Sequence, residues 1–153
     1  MDYKGKILVV DDRLENIQVL YSLLGGEGFE INVATNGPQA LKDVVNDIPD
    51  LILLDVNMPE MNGYEVCRRL KETEKTQHIP IIFLTANTAD DKIIHGFDVG
   101  AVDYITKPIK PKELISRINT HINLQRALID AEKARLEAEK ANRTKAEFLA
   151  TMS

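Results

Sequence analysis

Four places in this chain carry side chains that could act together: Asp11-Asp12, Asp55, Thr85 and Thr106-Lys107. Each follows a predicted strand: Ile7–Val10, Leu51–Leu54, Pro80–Leu84 and Val102–Ile105, respectively. The first is a continuous apolar run, which suits a strand buried on both faces. In a parallel α/β sheet the C-terminal ends of all strands lie along one edge, where these folds bind ligands. Topology would therefore gather three carboxylates, a hydroxyl and an ammonium. Crowded carboxylates repel, and one of them would tend to keep its proton. A hard divalent cation removes that penalty, and Mg²⁺, which takes oxygen ligands and retains waters, suits the set. A phosphoryl group could then lie beside the metal, with Thr85 and Lys107 donating to its oxygens. An aspartate held there is a competent nucleophile toward phosphorus. Taken singly, an aspartate pair after a strand is usually a turn or a helix N-cap. The agreement of order, placement and residue type points to the shared site.

The elements that must position these residues alternate in type. A helix follows the first run, with Ile17, Leu20, Tyr21 and Leu24 spaced as one face, and Gly25-Gly26 stands as its C-cap. Phe29–Val33 is a weaker second strand. Pro38–Asn46 is a helix burying Ala40, Leu41, Val44 and Val45, with Pro38 near its start. Val66, Cys67 and Leu70 mark a third helix. Ile93, Ile94 and Phe97 mark a fourth, stopped near Gly96–Gly100, and a fifth begins after Pro111. Five βα units in succession predict a doubly wound α/β fold around a parallel sheet.

Composition bounds the function. The chain has 153 residues, 44% hydrophobic and 28% charged, enough for one domain and an extension. A net charge of −5 disfavours nucleic acid as a partner. No apolar run is long enough to span a membrane, and the N-terminus lacks a signal-peptide core, so no membrane contact and a cytoplasmic location are expected. The single cysteine, Cys67, lies on an apolar helix stripe and reads as core. His78, His95 and His121 show no metal-ligand spacing and read as surface or helix-face residues. Gly25-Gly26-Glu27-Gly28 follows a helix rather than a strand, so it is a turn and not a dinucleotide loop.

The segments ILVVDD, LILLDVNMPEMNGYEV, PIIFLTA and GAVDYITKP resemble the response-regulator receiver (CheY-like) family from about Lys6 to Leu124. The resemblance implies a five-stranded sheet of order 2-1-3-4-5, with Asp55 as phosphoacceptor and a histidine kinase or phosphotransfer protein as phosphodonor. It implies Mg²⁺ held by Asp12, Asp55 and the backbone carbonyl of Asn57, with Asp11 acting mainly through water. Thr85 and Lys107 would bind the phosphoryl group, Thr85 and Tyr104 would form the switch, and the Lys107–Pro108 bond would be cis. The sequence departs from the family at Arg13, where many relatives are acidic, and at Val102. Asn57 and Asn87 occupy positions that tune phosphoryl lifetime. A Mg²⁺-dependent phosphatase of the haloacid dehalogenase type would need an aspartate where Asn57 stands. An inactive dimerising scaffold would not need the intact set Asp11, Asp12, Asp55, Thr85 and Lys107.

After Pro111 the chain has no Gly or Pro. Leu114, Ile115, Ile118 and Ile122 suit a helix on the sheet. Ala127, Ala131, Ala134, Ala138 and Ala141 then repeat by four and three, and Ile115, Ile122, Ile129 and Leu136 repeat by seven, as in a coiled coil. Glu139 and Arg143 form an i,i+4 pair of favourable polarity. Unbroken, this helix would extend roughly 60 Å at ~1.5 Å per residue, and a solvated helix of this composition is marginal without a partner. A homodimer through the C-terminal helix is therefore expected. KAEFLATMS, Lys145 to Ser153, is similar to the start of the dimerisation helix of histidine kinases. The expected division is 1–124, a receiver domain, and 125–153, a helical coiled-coil linker running into a histidine kinase dimerisation helix that continues beyond Ser153.

Overall fold

A computed structural model describes residues 4–86 and 89–152 of the chain. Its elements run β1 (Lys6–Val10), α1 (Leu14–Gly26), β2 (Glu30–Ala34), α2 (Gly37–Asn46), β3 (Leu51–Asp55) and α3 (Gly63–Glu72), then β4 (Ile81–Thr85), α4 (Asp90–Asp98), β5 (Asp103–Thr106) and α5 (Pro111–Met152). The five strands form one sheet of order β2-β1-β3-β4-β5, and every neighbouring pair is parallel. This is the doubly wound α/β architecture expected from the alternation. The division into compact units falls between Ile122 and Asn123.

Period-two alternation divides the core. Ile7, Val9, Leu51, Leu53, Ile82 and Leu84 face α1 and α5, while Leu8, Val10, Ile52, Leu54, Ile81 and Phe83 face α2 and α3. Every residue of β3 and β4 is buried, which is why those strands read as unbroken apolar runs. Each such Ile or Leu stabilises the fold by about 1.5–3 kcal/mol relative to exposure. Helix starts are set by side chains: Asn36 Oδ1 accepts the Gln39 N–H at the start of α2, and Asn62 Oδ1 accepts the Glu65 N–H at the start of α3.

Several local expectations need correction. Gly25 and Gly26 do not cap α1; they lie inside its last turn, where an added Cβ would meet nothing within 4 Å. The left-handed residue is Gly28 (φ 96°), whose N–H donates to the Gly25 carbonyl. Tyr21 and Val45 are 57% and 56% exposed rather than core, because each lies beside its helix's buried stripe. Of α4 only Gly96 is buried, with Ile94 and Phe97 largely exposed. An added Cβ on Gly96 would come within 3.1 Å of the Phe83 ring, so α4 approaches the sheet closely through its backbone, with Ile93 and Phe97 lining the recess beside it.

In the second unit, α5 exposes Leu124, Leu128, Ile129, Leu136, Phe148, Leu149 and Met152. Glu139 pairs back to Arg135 at 2.5 Å, and no ion pair joins it to Arg143 among the described residues.

Candidate functional site

The sheet's C-terminal edge gathers the expected residues. Asp55 ends the central strand β3 and is 3% exposed; Asp11 follows β1 and is fully buried, while Asp12 beside it is exposed. One carboxylate oxygen from each of Asp11, Asp12 and Asp55 lies within 4.8 Å of the others. Lys107 reaches in from the end of β5, its Nζ 3.2 Å from Asp55 Oδ1 and 3.9 Å from Asp11 Oδ2. The Lys107 N–H donates to the Thr85 carbonyl at 2.9 Å, so the ends of β4 and β5 are tied together at the residues that carry the hydroxyl and the ammonium. Thr85 is buried, and the Lys107–Pro108 peptide is cis. Asn57, exposed, donates its backbone N–H to Asp55 Oδ1 at 3.4 Å. Asn87 lies outside the described residues.

Burial raises the Asp55 pKa, and the nearby Asp11 charge raises it further; the Lys107 ammonium and the Asn57 N–H oppose them without prevailing. Two carboxylates held together beside a single cation leave negative charge uncompensated. That surplus, and the hard oxygen donors, fit a divalent cation such as Mg²⁺.

Other residues fix this geometry and were not legible in sequence. Asp11 is oriented from both oxygens: Oδ1 accepts the Arg13 N–H at 2.9 Å and Oδ2 accepts Asn16 Nδ2 at 3.1 Å. Asn16 escaped notice because it sits on a helix with no motif around it. Gly63 opens α3 directly against the Asp55–Val56 backbone. Its N–H donates to the Val56 carbonyl at 2.9 Å, and a Cβ there would stand 2.4 Å from the Asp55 carbonyl oxygen. The only sequence signal was a glycine just after the Asn62 cap. Tyr104, half-buried, lines a narrow apolar recess with Thr85, Val56, Phe83 and Gly96. Asp103 borders the same recess, and its carboxylate binds Arg117 at 2.7 Å and His121 at 3.0 Å. His121 is thus a structural partner of β5, not merely a helix-face residue. Cys67 is core as expected, its thiol pushed up to about 11 by burial.

Known proteins resemble this chain in sequence and in fold. Response regulator PleD of Caulobacter vibrioides is 44% identical over 116 residues, which is 76% of this chain but 26% of that protein. The chain thus spans about a quarter of that relative's length. The Vibrio cholerae chemotaxis protein CheY4 superposes with a TM-score of 0.73 at 32% identity, over 76% of this chain and 97% of that one. The signal receiver domain of a signal transduction histidine kinase from Syntrophus aciditrophicus gives 0.73 at 35% identity, over 78% of this chain and 90% of that one. The response regulator receiver domain pattern itself matches residues 7–119. By sequence and by fold, the chain belongs to the response regulator receiver domain family of two-component signalling.

Proposed function

We propose that Asp55 accepts a phosphoryl group from a phosphohistidine on a histidine kinase or phosphotransfer protein. The observation that carries this reading is a buried aspartate at the end of the central strand, with an ammonium at 3.2 Å and two further carboxylates within metal-sharing distance. An Asp55 carboxylate oxygen attacks phosphorus, the P–N bond breaks, and the imidazole leaves with its electron pair and takes up a proton. The product is an aspartyl phosphate. Asp11, Asp12, Asp55 and the Asn57 carbonyl would hold Mg²⁺, which supplies charge neutralisation for the carboxylates and the incoming phosphoryl oxygens. Lys107 holds the carboxylate in place and then faces the phosphoryl group, and Thr85 donates its hydroxyl to it. Tyr104 shares its recess with Thr85 and forms the other half of the switch.

The downstream partner in this reading is a histidine kinase, reached through α5. Support comes from the likeness of Lys145–Ser153 to a kinase dimerisation helix and from the kinase-borne receiver among the similar structures. The exposed apolar residues of the second unit support a homodimer through that helix. One unpaired, buried cysteine suits a cytoplasmic setting. The test is beryllofluoride, an acyl-phosphate analogue, added with Mg²⁺. Saturable binding is expected at Asp55 and is lost in Asp55→Asn; binding that survives in Asp55→Asn, or none in the wild type, sinks the reading.

A further inference from the structure

Outside the acidic site, a half-buried polar cluster of the first unit joins β5 to α5. Asp103 Oδ1 accepts the Tyr104 N–H at 2.8 Å and Arg117 Nη1 at 2.7 Å. Its Oδ2 pairs with His121 Nε2 at 3.0 Å. Arg117 Nε also reaches Glu113 Oε1 at 3.3 Å. Glu113, Arg117 and His121 are spaced by four, so they form one stripe on α5. The buried stripe of α5, Leu114, Ile118 and Ile122, lies next to it.

The two stripes hold the helix differently. Apolar contact is non-directional and tolerates small rotations and slides. Charge-assisted hydrogen bonds are short and directional, so they fix which way the helix is turned. Here both sets of bonds converge on one carboxylate, only 15% exposed, whose own backbone neighbour is Tyr104. The Tyr104 N–H belongs to the peptide that joins Asp103 to Tyr104. A turn of that peptide must re-aim the carboxylate that grips Arg117 and His121. Asp103 also borders the recess shared by Thr85 and Tyr104, so it touches the candidate switch on one side and α5 on the other.

We infer that Asp103 is a positioning residue that carries the state of the Thr85/Tyr104 recess into α5 through Arg117 and His121. The inference rests on the phosphoacceptor reading and adds to it the path by which Asp55 is read out. A purely structural clamp would stabilise the fold equally in both states of Asp55 and would transmit nothing.

The experiment uses the intact chain and nuclear magnetic resonance, following the Arg117 Nε–H, the His121 ring and the amides of 118–122 during titration with beryllofluoride and Mg²⁺. In the wild type these signals are expected to move at the same half-saturation as those around Asp55. In Asp103→Asn the ligand should still bind at Asp55, while the α5 response falls by about fivefold or more, the size of a modest coupling. Arg117→Gln with His121→Gln, which leaves Asp103 in place, should give the same loss and serves if Asp103→Asn does not fold. An undiminished α5 response in these variants overturns the inference, as does a silent α5 in a wild type that binds the ligand. A wild type that binds nothing at Asp55 refutes the phosphoacceptor reading itself, and the readout path falls with it.

Discussion

At the scale of single residues, two positions make different demands. Gly63 is a steric requirement. The carbonyl of Asp55, the proposed phosphoacceptor, occupies the space a side chain would need, at 2.4 Å from an added Cβ. Gly63→Ala should destabilise the protein by about 1–3 kcal/mol, as overpacking does. It should also weaken beryllofluoride binding, because the strain is relieved at Asp55. Gly25→Ala, with open space around it, should instead be neutral or stabilising by up to ~1 kcal/mol, as expected for a helix glycine. Thermal melts of the two variants, with a binding isotherm for each, check this contrast. Asp103 makes an electrostatic demand. Burial alone would raise its pKa, but hydrogen bonds from His121 and Arg117 outweigh burial and hold it below the ordinary carboxylate value of 3.8. A depressed folded pKa gives stability that is present above 3.8 and is lost as pH falls through the folded value. The difference in Tm between wild type and Asp103→Asn should therefore be full at pH 5 to 7 and should shrink below that window. A difference that grows on acidification would contradict the assignment.

At the scale of elements, what the sequence made legible follows from what repeats. Strands β1, β3 and β4 were plain because both faces are buried, leaving uninterrupted apolar runs that stop at Asp11, Asp55 and Thr85. Asp11, Asp55 and Thr85 were legible for the same reason: each is the first polar residue after such a run. Contacts between residues distant in sequence and of ordinary type were not. Nothing in the spacing of Asp103, Arg117 and His121 says that a strand end and two successive helix turns share a carboxylate. Ile93, Ile94 and Phe97 located helix α4, but they did not reveal that it rests on Gly96 against Phe83. Its further support comes from Tyr64, whose ring meets Phe83 at 5.2 Å and His95 at 4.6 Å. With so little buried, α4 should open most easily of the four helices that precede α5. Amide hydrogen exchange should show its protection lowest among α1 to α4, and equal protection across the four would count against that account.

At the scale of the whole molecule, the first unit has a two-faced core of its own, whereas the second shows large apolar side chains at half exposure or more. Such a helix gains little from propensity alone and is stable when its apolar residues are covered. The chain should sediment as a dimer at micromolar concentration, and removal of residues 125–153 should give a monomer that still binds beryllofluoride. Two residues inserted near Ala134 should disturb control of a kinase joined to the chain, since the seven-residue repeat is thrown out of phase. The lone thiol bears on how such experiments can be done. Cys67 is fully enclosed, directs its S–H at the Val99 carbonyl, and ionises only near 11. Maleimide and disulfide reagents should therefore pass it by in the native protein. The wild-type chain is already a silent host for site-directed labelling, in which one cysteine placed on α5 would carry a spin label or fluorophore with no background to remove.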